Sequence, residues 1–333
     1  MGCVDISVII PVYNTGKYLI KCLDSLENQS FPKERYELII INDGSTDDSA
    51  SIAKEYKNKY SNIRYIEKEN GGQASARNMG MSVASGNYFC FVDSDDYCFG
   101  SYLEKLYDAC KSSGADISVC RKYKDNNGII SDYNFGQDFS GIYEDIDYIV
   151  SGASFAPWAM LIDRRLWHNT GFTEGMTYED MAVIPVIMHR AAKIIYIDDR
   201  MYYYRIHNSS TLMKNVVNRK MNLDIIKAFD ILFASELKNY PDVLASIYIR
   251  YILASACRQM YLCHDQSRYT VTELVKRGKD LFPDIKNKVI VGSMSLDEVR
   301  FVQLLLKEHF LIAQKYVSIV DGIKNIKSLI TRR

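Results

Sequence analysis

Four short apolar runs lie in the first 100 residues, and each is bounded by polar or turn residues. They cover residues 5–12, 37–42, 63–67 and 88–92. Runs of this length suit strands covered on both faces of a parallel sheet. The stretches between them change period. Leu19, Cys22, Leu23 and Leu26 recur at helical spacing behind Asn14 or Thr15 as a cap. Ile52, Ala53, Tyr56 and Tyr60 form a second stripe behind Ser45 or Thr46, with Asp47 and Asp48 favourable in its first turn. A third helix carries Ala74, Ala76, Arg77 and Met79 after Gly71-Gly72. Strands alternating with helices at this density predict right-handed βαβ units, hence an α/β class with a mostly parallel central sheet.

Further on, 102–110 reads as a helix, 116–123 as a strand and 124–140 as a polar loop or weak hairpin. Residues 155–162 predict a strand, and Glu179-Asp180 open a helix carrying Val183, Val186, Ile187 and Ala191. Residues 193–197 and 201–205 predict two strands joined at Asp198-Asp199. From about residue 214 the periodicity is almost purely helical, so a boundary is expected near 212: a catalytic-type domain over 1–212 and a helical region over 213–333.

Composition narrows the function. Lysine plus arginine and aspartate plus glutamate number 41 each, so no overall field favours nucleic acid. Eight cysteines show no C-x-x-C pair and no metal-like clustering, which fits a reduced, cytoplasmic chain. The first residues enter a strand almost at once, without a basic segment and long apolar stretch, so no signal peptide is expected. No apolar run reaches the length of a membrane span.

Chemistry concentrates at the strand ends. The 88–92 run stops at Asp93-Ser94-Asp95-Asp96, three carboxylates in four residues, and the earlier runs end at Tyr13-Asn14 and Asp43-Gly44. Ligands of open parallel sheets sit beyond the carboxyl ends of strands. Two carboxylates this close favour a shared cation, and hard oxygen donors suit Mg²⁺ or Mn²⁺. An acidic turn with Asp96 as a helix cap is the plainer alternative. The Gly71-Gly72 N–H groups are free to face an anion at a helix start.

Five stretches in order, Ser7-Val8-Ile9-Ile10-Pro11-Val12-Tyr13-Asn14, Asn42-Asp43-Gly44-Ser45-Thr46-Asp47, Gly71-Gly72-Gln73-Ala74-Ser75-Ala76-Arg77-Asn78, Asp93-Ser94-Asp95-Asp96 and Glu179-Asp180, resemble family 2 glycosyltransferases over roughly residues 5–211. The resemblance implies a GT-A fold and an inverting enzyme using a UDP-sugar and Mn²⁺ or Mg²⁺ in bacterial surface polysaccharide or glycoconjugate assembly. It places the uracil ring on Pro11 and Tyr13, with Asp43 accepting from the base and Arg77 contacting the nucleotide. Asp93 and Ser94 would meet the nucleotide-sugar, and Asp95 would ligate the metal with His207 as a further ligand. Asp180 would be the general base with Glu179 beside it, and Trp158 would line a sugar or acceptor pocket. Many relatives follow that tryptophan with Asn-Lys, whereas this chain has Ala159-Met160.

The acceptor is expected to be a glycan or a lipid-linked molecule. Tyr316, Ile319, Val320, Ile323, Ile326 and Ile330, with Lys315, Lys324, Lys327, Arg332 and Arg333 nearby, form a basic amphipathic stripe. It suits the inner face of a membrane, or packing on neighbouring helices or a second copy. Two rival readings stand beside this one. A sugar-1-phosphate nucleotidyltransferase would carry a G-x-G-x-R loop near residue 11, which is absent. A non-catalytic nucleotide-sugar-binding protein would not need Asp43, Asp93, Asp95 and Asp180 together.

Overall fold

The computed structural model describes residues 4–133, 138–207, 223–263, 267–288 and 294–330, with 267–269 and 322–330 by backbone alone. It divides into two compact units, one of residues 1–146 and 155–207, the other of residues 147–154 and 208–333.

The first unit is built on β1 (Ile6–Val12). Ile6, Val8, Ile9, Ile10 and Val12 are completely buried, and each such side chain contributes roughly 1.5–3 kcal/mol relative to exposure. β2 (Tyr36–Asp43), β3 (Ile63–Lys68) and β4 (Tyr88–Phe91) pair with one another or with β1 in parallel, as the alternation predicts. Three helices connect them: α1 (Gly16–Glu27), α2 (Ser49–Lys59) and α3 (Gly72–Val83). α3 lies so close to β1 that a Cβ at Gly80 would stand 2.5 Å from Ile9 Cγ2. Only glycine admits that approach, which brings the Gln73 and Arg77 turns of α3 over the strand ends.

After β5 (Tyr97–Cys98) and α4 (Tyr102–Ser113) the sheet is extended by β6 (Ile117–Asn126), β7 (Ile129–Tyr133), β8 (Gly141–Tyr143), β9 (Met160–Asp163) and β10 (Ile194–Ile206). The order is β3-β2-β1-β4-β9-β6-β10-β5, with β7 on β6 and β8 on β10. β9 runs antiparallel to both β4 and β6, whereas β6 and β10 are parallel. The result is a mixed, mostly parallel sheet flanked by helices. α5 (Ile146–Gly152) precedes β9 in the chain, and α6 (Glu179–His189) follows it.

β1 keeps its expected end at Val12 despite Pro11, because its last pair with β4 is Ile9–Phe91 and Pro11 has only β2 beside it. Several other boundaries differ from expectation. α2 begins at Ser49 rather than after Ser45, since Asn14 holds Ser45 and Thr46: its N–H donates to Ser45 Oγ (3.1 Å) and its Oδ1 accepts from the Thr46 N–H (2.8 Å). Residues 155–162 are strand only from Met160, with a single bridge at Trp158 to Phe91. The two strands expected around Asp198-Asp199 are one strand, β10, which absorbs those residues in a register irregularity against β6. Of the 124–140 segment, residues 124–133 do form a hairpin, β6 turning into β7 at Asn127-Gly128, both with positive φ.

In the second unit the described residues after 222 are helical, apart from short connections. Phe229, Tyr248 and Phe282 meet in an aromatic cluster, and the Tyr248 hydroxyl donates to Leu274 O (2.7 Å). No helix among the described residues is long and apolar enough to cross a membrane. The helix Phe310–Ile330 buries Ala313 and Val317, while Leu311, Ile312 and Ile319 are exposed. The expected stripe side chains at 323, 324, 326, 327 and 330, and residues 332 and 333, lie outside the described residues.

Candidate active site

The carboxyl ends of β1, β2 and β4 deliver polar residues to one edge of the sheet. Asp43, at the end of β2, is buried and accepts from four donors: Lys68 Nζ (2.7 Å), Asn70 Nδ2 (3.2 Å) and the N–H groups of Gly71 (2.9 Å) and Gly72 (2.8 Å). The two glycine N–H groups therefore hold this carboxylate, where the sequence left them free for a ligand. The carboxylate's negative charge suits the start of α3. Asp43→Ala is expected to cost about 1–3 kcal/mol in urea denaturation, through unsatisfied N–H groups and an unpaired Lys68. An unchanged denaturation midpoint would contradict this role. Tyr13 is half exposed (51%) and offers an open ring face, while Pro11 is buried in β1 beside it.

Arg77 is the pivot. It is 2% exposed, and its Nη2 donates to Asp93 Oδ1 (2.9 Å) while its Nη1 donates to Glu179 Oε1 (2.7 Å). The guanidinium lies 5.1 Å from the centre of the Phe172 ring, and its Nε is buried without a hydrogen-bond partner. Gln73 Nε2 also donates to Asp93 Oδ1 (2.9 Å). Arg77 thus spends both terminal nitrogens on protein carboxylates, joining the Asp93 turn to the start of α6. Burial raises the Asp93 carboxyl, and Arg77 opposes that rise.

Asp180 follows Glu179 at the first turn of α6, behind Tyr178, whose φ of 61° is uncommon for a residue with a side chain. The Met181 N–H donates to Asp180 Oδ1 (2.7 Å). Burial, and then the neighbouring Glu179 charge, push the Asp180 carboxyl up to about 7, with Arg77 acting in the opposite direction. A carboxylate poised near neutrality can take a proton in one state and hold it in another.

The turn after β4 is tied down residue by residue. Ser94 is buried and accepts from Thr15 Oγ1 (2.9 Å). Asp96 is 1% exposed and accepts from the Tyr202 hydroxyl (2.8 Å) and the Arg205 N–H (2.7 Å). The same hydroxyl accepts from the Asp93 N–H (3.2 Å). Asp96 therefore bonds to β10 rather than capping a helix, and it draws the end of β10 to the Asp93–Asp95 turn. His207 Nε2 then lies 2.8 Å from Asp95 Oδ2, with the ring 4.5 Å from that of Tyr18.

Asp95 and His207, hydrogen-bonded to each other here, supply one oxygen and one nitrogen donor that could hold Mn²⁺ or Mg²⁺ completed by phosphate and water. Among the described residues no three metal-type side chains cluster, so the protein's share of such a site is small. Trp158 is 8% exposed and stacks on Tyr202 (5.0 Å, 19°) and Tyr204 (5.3 Å, 11°), so its ring sits in an aromatic layer rather than on an open wall. A recess of 1090 Å³ lined by Asn87, Tyr88, Asp163, Arg164, Trp167 and His168 opens at the other, amino-terminal end of β4, away from these carboxylates. The sequence singles out Asp96 only as a helix cap, and Gln73, Phe172 and Tyr202 not at all. Only Tyr202 left a signal, as the first of three tyrosines in a strand.

A mixed sheet thus carries an acidic turn at its carboxyl edge, bridged by a buried arginine to a second acidic pair. A sequence model of glycosyl transferase family 2 matches residues 7–184, more than half of the chain, and the chain belongs to that family. It is 33% identical over 237 residues to Glycosyltransferase GlyG of Streptococcus pneumoniae serotype 4, a match covering 67% of this chain and 78% of GlyG. It is 38% identical over 217 residues to Glycosyltransferase GlyA of the same organism, of which it spans only 31%. Among solved structures it resembles residues 1–349 of Staphylococcus aureus TarS in complex with UDP-GlcNAc, with a TM-score of 0.75 at 19% identity, covering 96% of this chain and 92% of that one. The architecture is therefore GT-A, with a helical region following it.

Proposed function

We propose that this glycosyltransferase moves a sugar, as a hexosyltransferase, from a UDP-sugar to a hydroxyl of a glycan or lipid-linked acceptor, with inversion and with Asp180 as general base. The observation that carries the reading is the Asp180 carboxyl at the head of α6. It is raised to about 7 and linked through Glu179 and Arg77 to the Asp93 turn. Inversion in one displacement needs a base on the acceptor side, opposite the leaving group.

Each residue then has a task. The exposed ring of Tyr13 stacks on the base, over the loop that Asp43 shapes. Arg77 and Gln73 fix the Asp93 carboxylate, Glu179 is held by Arg77, and Asp180 receives the acceptor proton at its free oxygen. Asp95 and His207 would hold a divalent ion, which supplies charge neutralisation for the diphosphate when bound. The UDP donor is supported by the UDP-GlcNAc complex of TarS. The setting is surface polysaccharide assembly on the cytoplasmic side, with Leu311, Ile312 and Ile319 as the exposed apolar positions for a membrane surface or a second copy.

Asp95→Ala tests the reading. Calorimetry is expected to lose the Mn²⁺-dependent part of UDP binding, while the melting temperature without ligand stays within a few degrees. Full Mn²⁺-dependent affinity in the variant would remove Asp95 from the site.

A further inference from the structure

Asn78 follows Arg77 on α3 and has no part in the chemistry above. Its Oδ1 accepts from the Phe172 N–H (2.9 Å), while its Nδ2 donates to the Phe172 carbonyl (2.8 Å) and to Glu174 Oε1 (3.0 Å). The carboxamide thus meets both backbone groups of one residue, as the partner residue in an antiparallel ladder would. Those backbone groups also fix its orientation, because an N–H needs the amide oxygen and a carbonyl needs the amide nitrogen. Gly171 leaves room for it. A Cβ at that position would stand 2.9 Å from Asn78 Oδ1, a contact relieved by moving the carboxamide off Phe172.

The residue held in this way opens the segment that leads to Asp180. Residues 172–178 form neither helix nor strand, and Gly175 (75°) and Tyr178 (61°) turn the chain at positive φ. Arg77 grips the far end of the segment through Glu179 Oε1 (2.7 Å). Two consecutive residues of α3 therefore clamp the two ends of one loop. Phe172 is 3% exposed and packs against Phe91 (5.4 Å) and Trp167 (5.2 Å), so the near end is anchored in the core. One bond to Glu179 leaves the head of α6 free to pivot about it, and the second attachment removes that pivot. Releasing either end returns backbone freedom to every residue between the clamps. Asp180 sits one residue beyond the second clamp, and a general base acts only within hydrogen-bond reach of the proton it takes.

We propose that Asn78 is a positioning residue for the general base, setting Asp180 through the 172–179 loop. This rests on the reading of Asp180 as the base and adds to it a residue that acts on turnover through protein contacts alone.

The test compares the wild-type full chain with Asn78→Ala, Gly171→Ala, Asp180→Asn and the double variant Asn78→Ala/Asp180→Asn. Turnover is followed as Mn²⁺-dependent UDP release from UDP-N-acetylglucosamine and UDP-glucose, with water as acceptor. Asn78→Ala and Gly171→Ala should each lower kcat by about 10–100-fold, the cost of a base displaced by about 1 Å. Calorimetric UDP affinity should stay at the wild-type value in both. In the Asp180→Asn background the alanine at 78 should cost almost nothing more, because its effect runs through a base already gone. A residue serving stability alone would cost the same factor in both backgrounds. Hydrogen exchange reads the geometry without substrate. The Met181 N–H, which donates to Asp180 Oδ1, should exchange faster in Asn78→Ala, with the amides of β1 unchanged. If Asn78→Ala does not fold, Gly171→Ala, which removes no polar group, takes its place alone and in the double variant. Equal losses in the two backgrounds, UDP affinity falling with kcat, or unchanged Met181 exchange overturns the proposal. Wild-type turnover in Asp180→Asn, or no turnover of either donor by the wild type, would instead remove the reading beneath it.

Discussion

Asp180→Asn is expected to lower turnover by roughly 10²–10⁴-fold, the usual contribution of a positioned general base. The substitution keeps the shape of the side chain and its bond from the Met181 N–H, and removes only the basicity. Donor affinity should scarcely change, because the residues assigned to UDP are elsewhere. The pH profile gives a second reading. With its carboxyl raised to about 7, Asp180 is ready to accept a proton only above that pH, so wild-type turnover should climb through pH 7. The residual activity of the variant should lose this limb. Stability moves the other way: a raised carboxyl contributes stability below the ordinary aspartate range, and that contribution is lost as pH rises through about 7. The asparagine variant should therefore gain on wild type at pH 8 and not at pH 4. A variant with wild-type turnover, or with the limb intact, would exclude Asp180 as the base.

Arg77→Met should be the most destabilising single change in the site, by about 3–5 kcal/mol, because it strands Asp93 and Glu179 without the cation that joins them. Arg77→Lys should not rescue it, since one ammonium cannot reproduce the two-pronged geometry. The loss has a pH signature with a definite sign. Arg77 holds the Asp93 and Asp180 carboxyls lower than burial alone would, so without it both rise further and their charged forms are penalised. The variant should lose more stability at pH 8 than at pH 5, measured by urea denaturation. Equal losses at the two pH values, or a loss below about 1 kcal/mol, would contradict the bridge.

What could be read from sequence followed local pattern. Apolar runs ending at Asp43 and Asp93 placed both carboxylates at strand ends, and the helical stripes between them required parallel strands. The family resemblance implies that Asp95 and His207 share an ion, and the two side chains lie 2.8 Å apart. Partnerships across long stretches of chain were not legible. Nothing near Arg77 in sequence says that its guanidinium meets Glu179, 102 residues away. Asp43 was assigned to the base alone because the path of the 68–72 loop back over it depends on tertiary packing. β10 was split in two because Asp198-Asp199 reads as a turn, while its neighbour β6 holds the strand together across them. The resemblance implies a pocket-wall place for Trp158, and the stacking of Tyr202 and Tyr204 of β10 on its ring puts it inside a layer.

The measurement that bears most directly on the account is the anomeric configuration of the product. With a UDP-α-sugar donor and an accepted glycan, a single displacement assisted by Asp180 gives a β-linkage, visible in the anomeric proton coupling of the purified product. A β-linkage at the new glycosidic bond is the predicted result; a retained α-linkage would contradict the single displacement and, with it, Asp180 as its base.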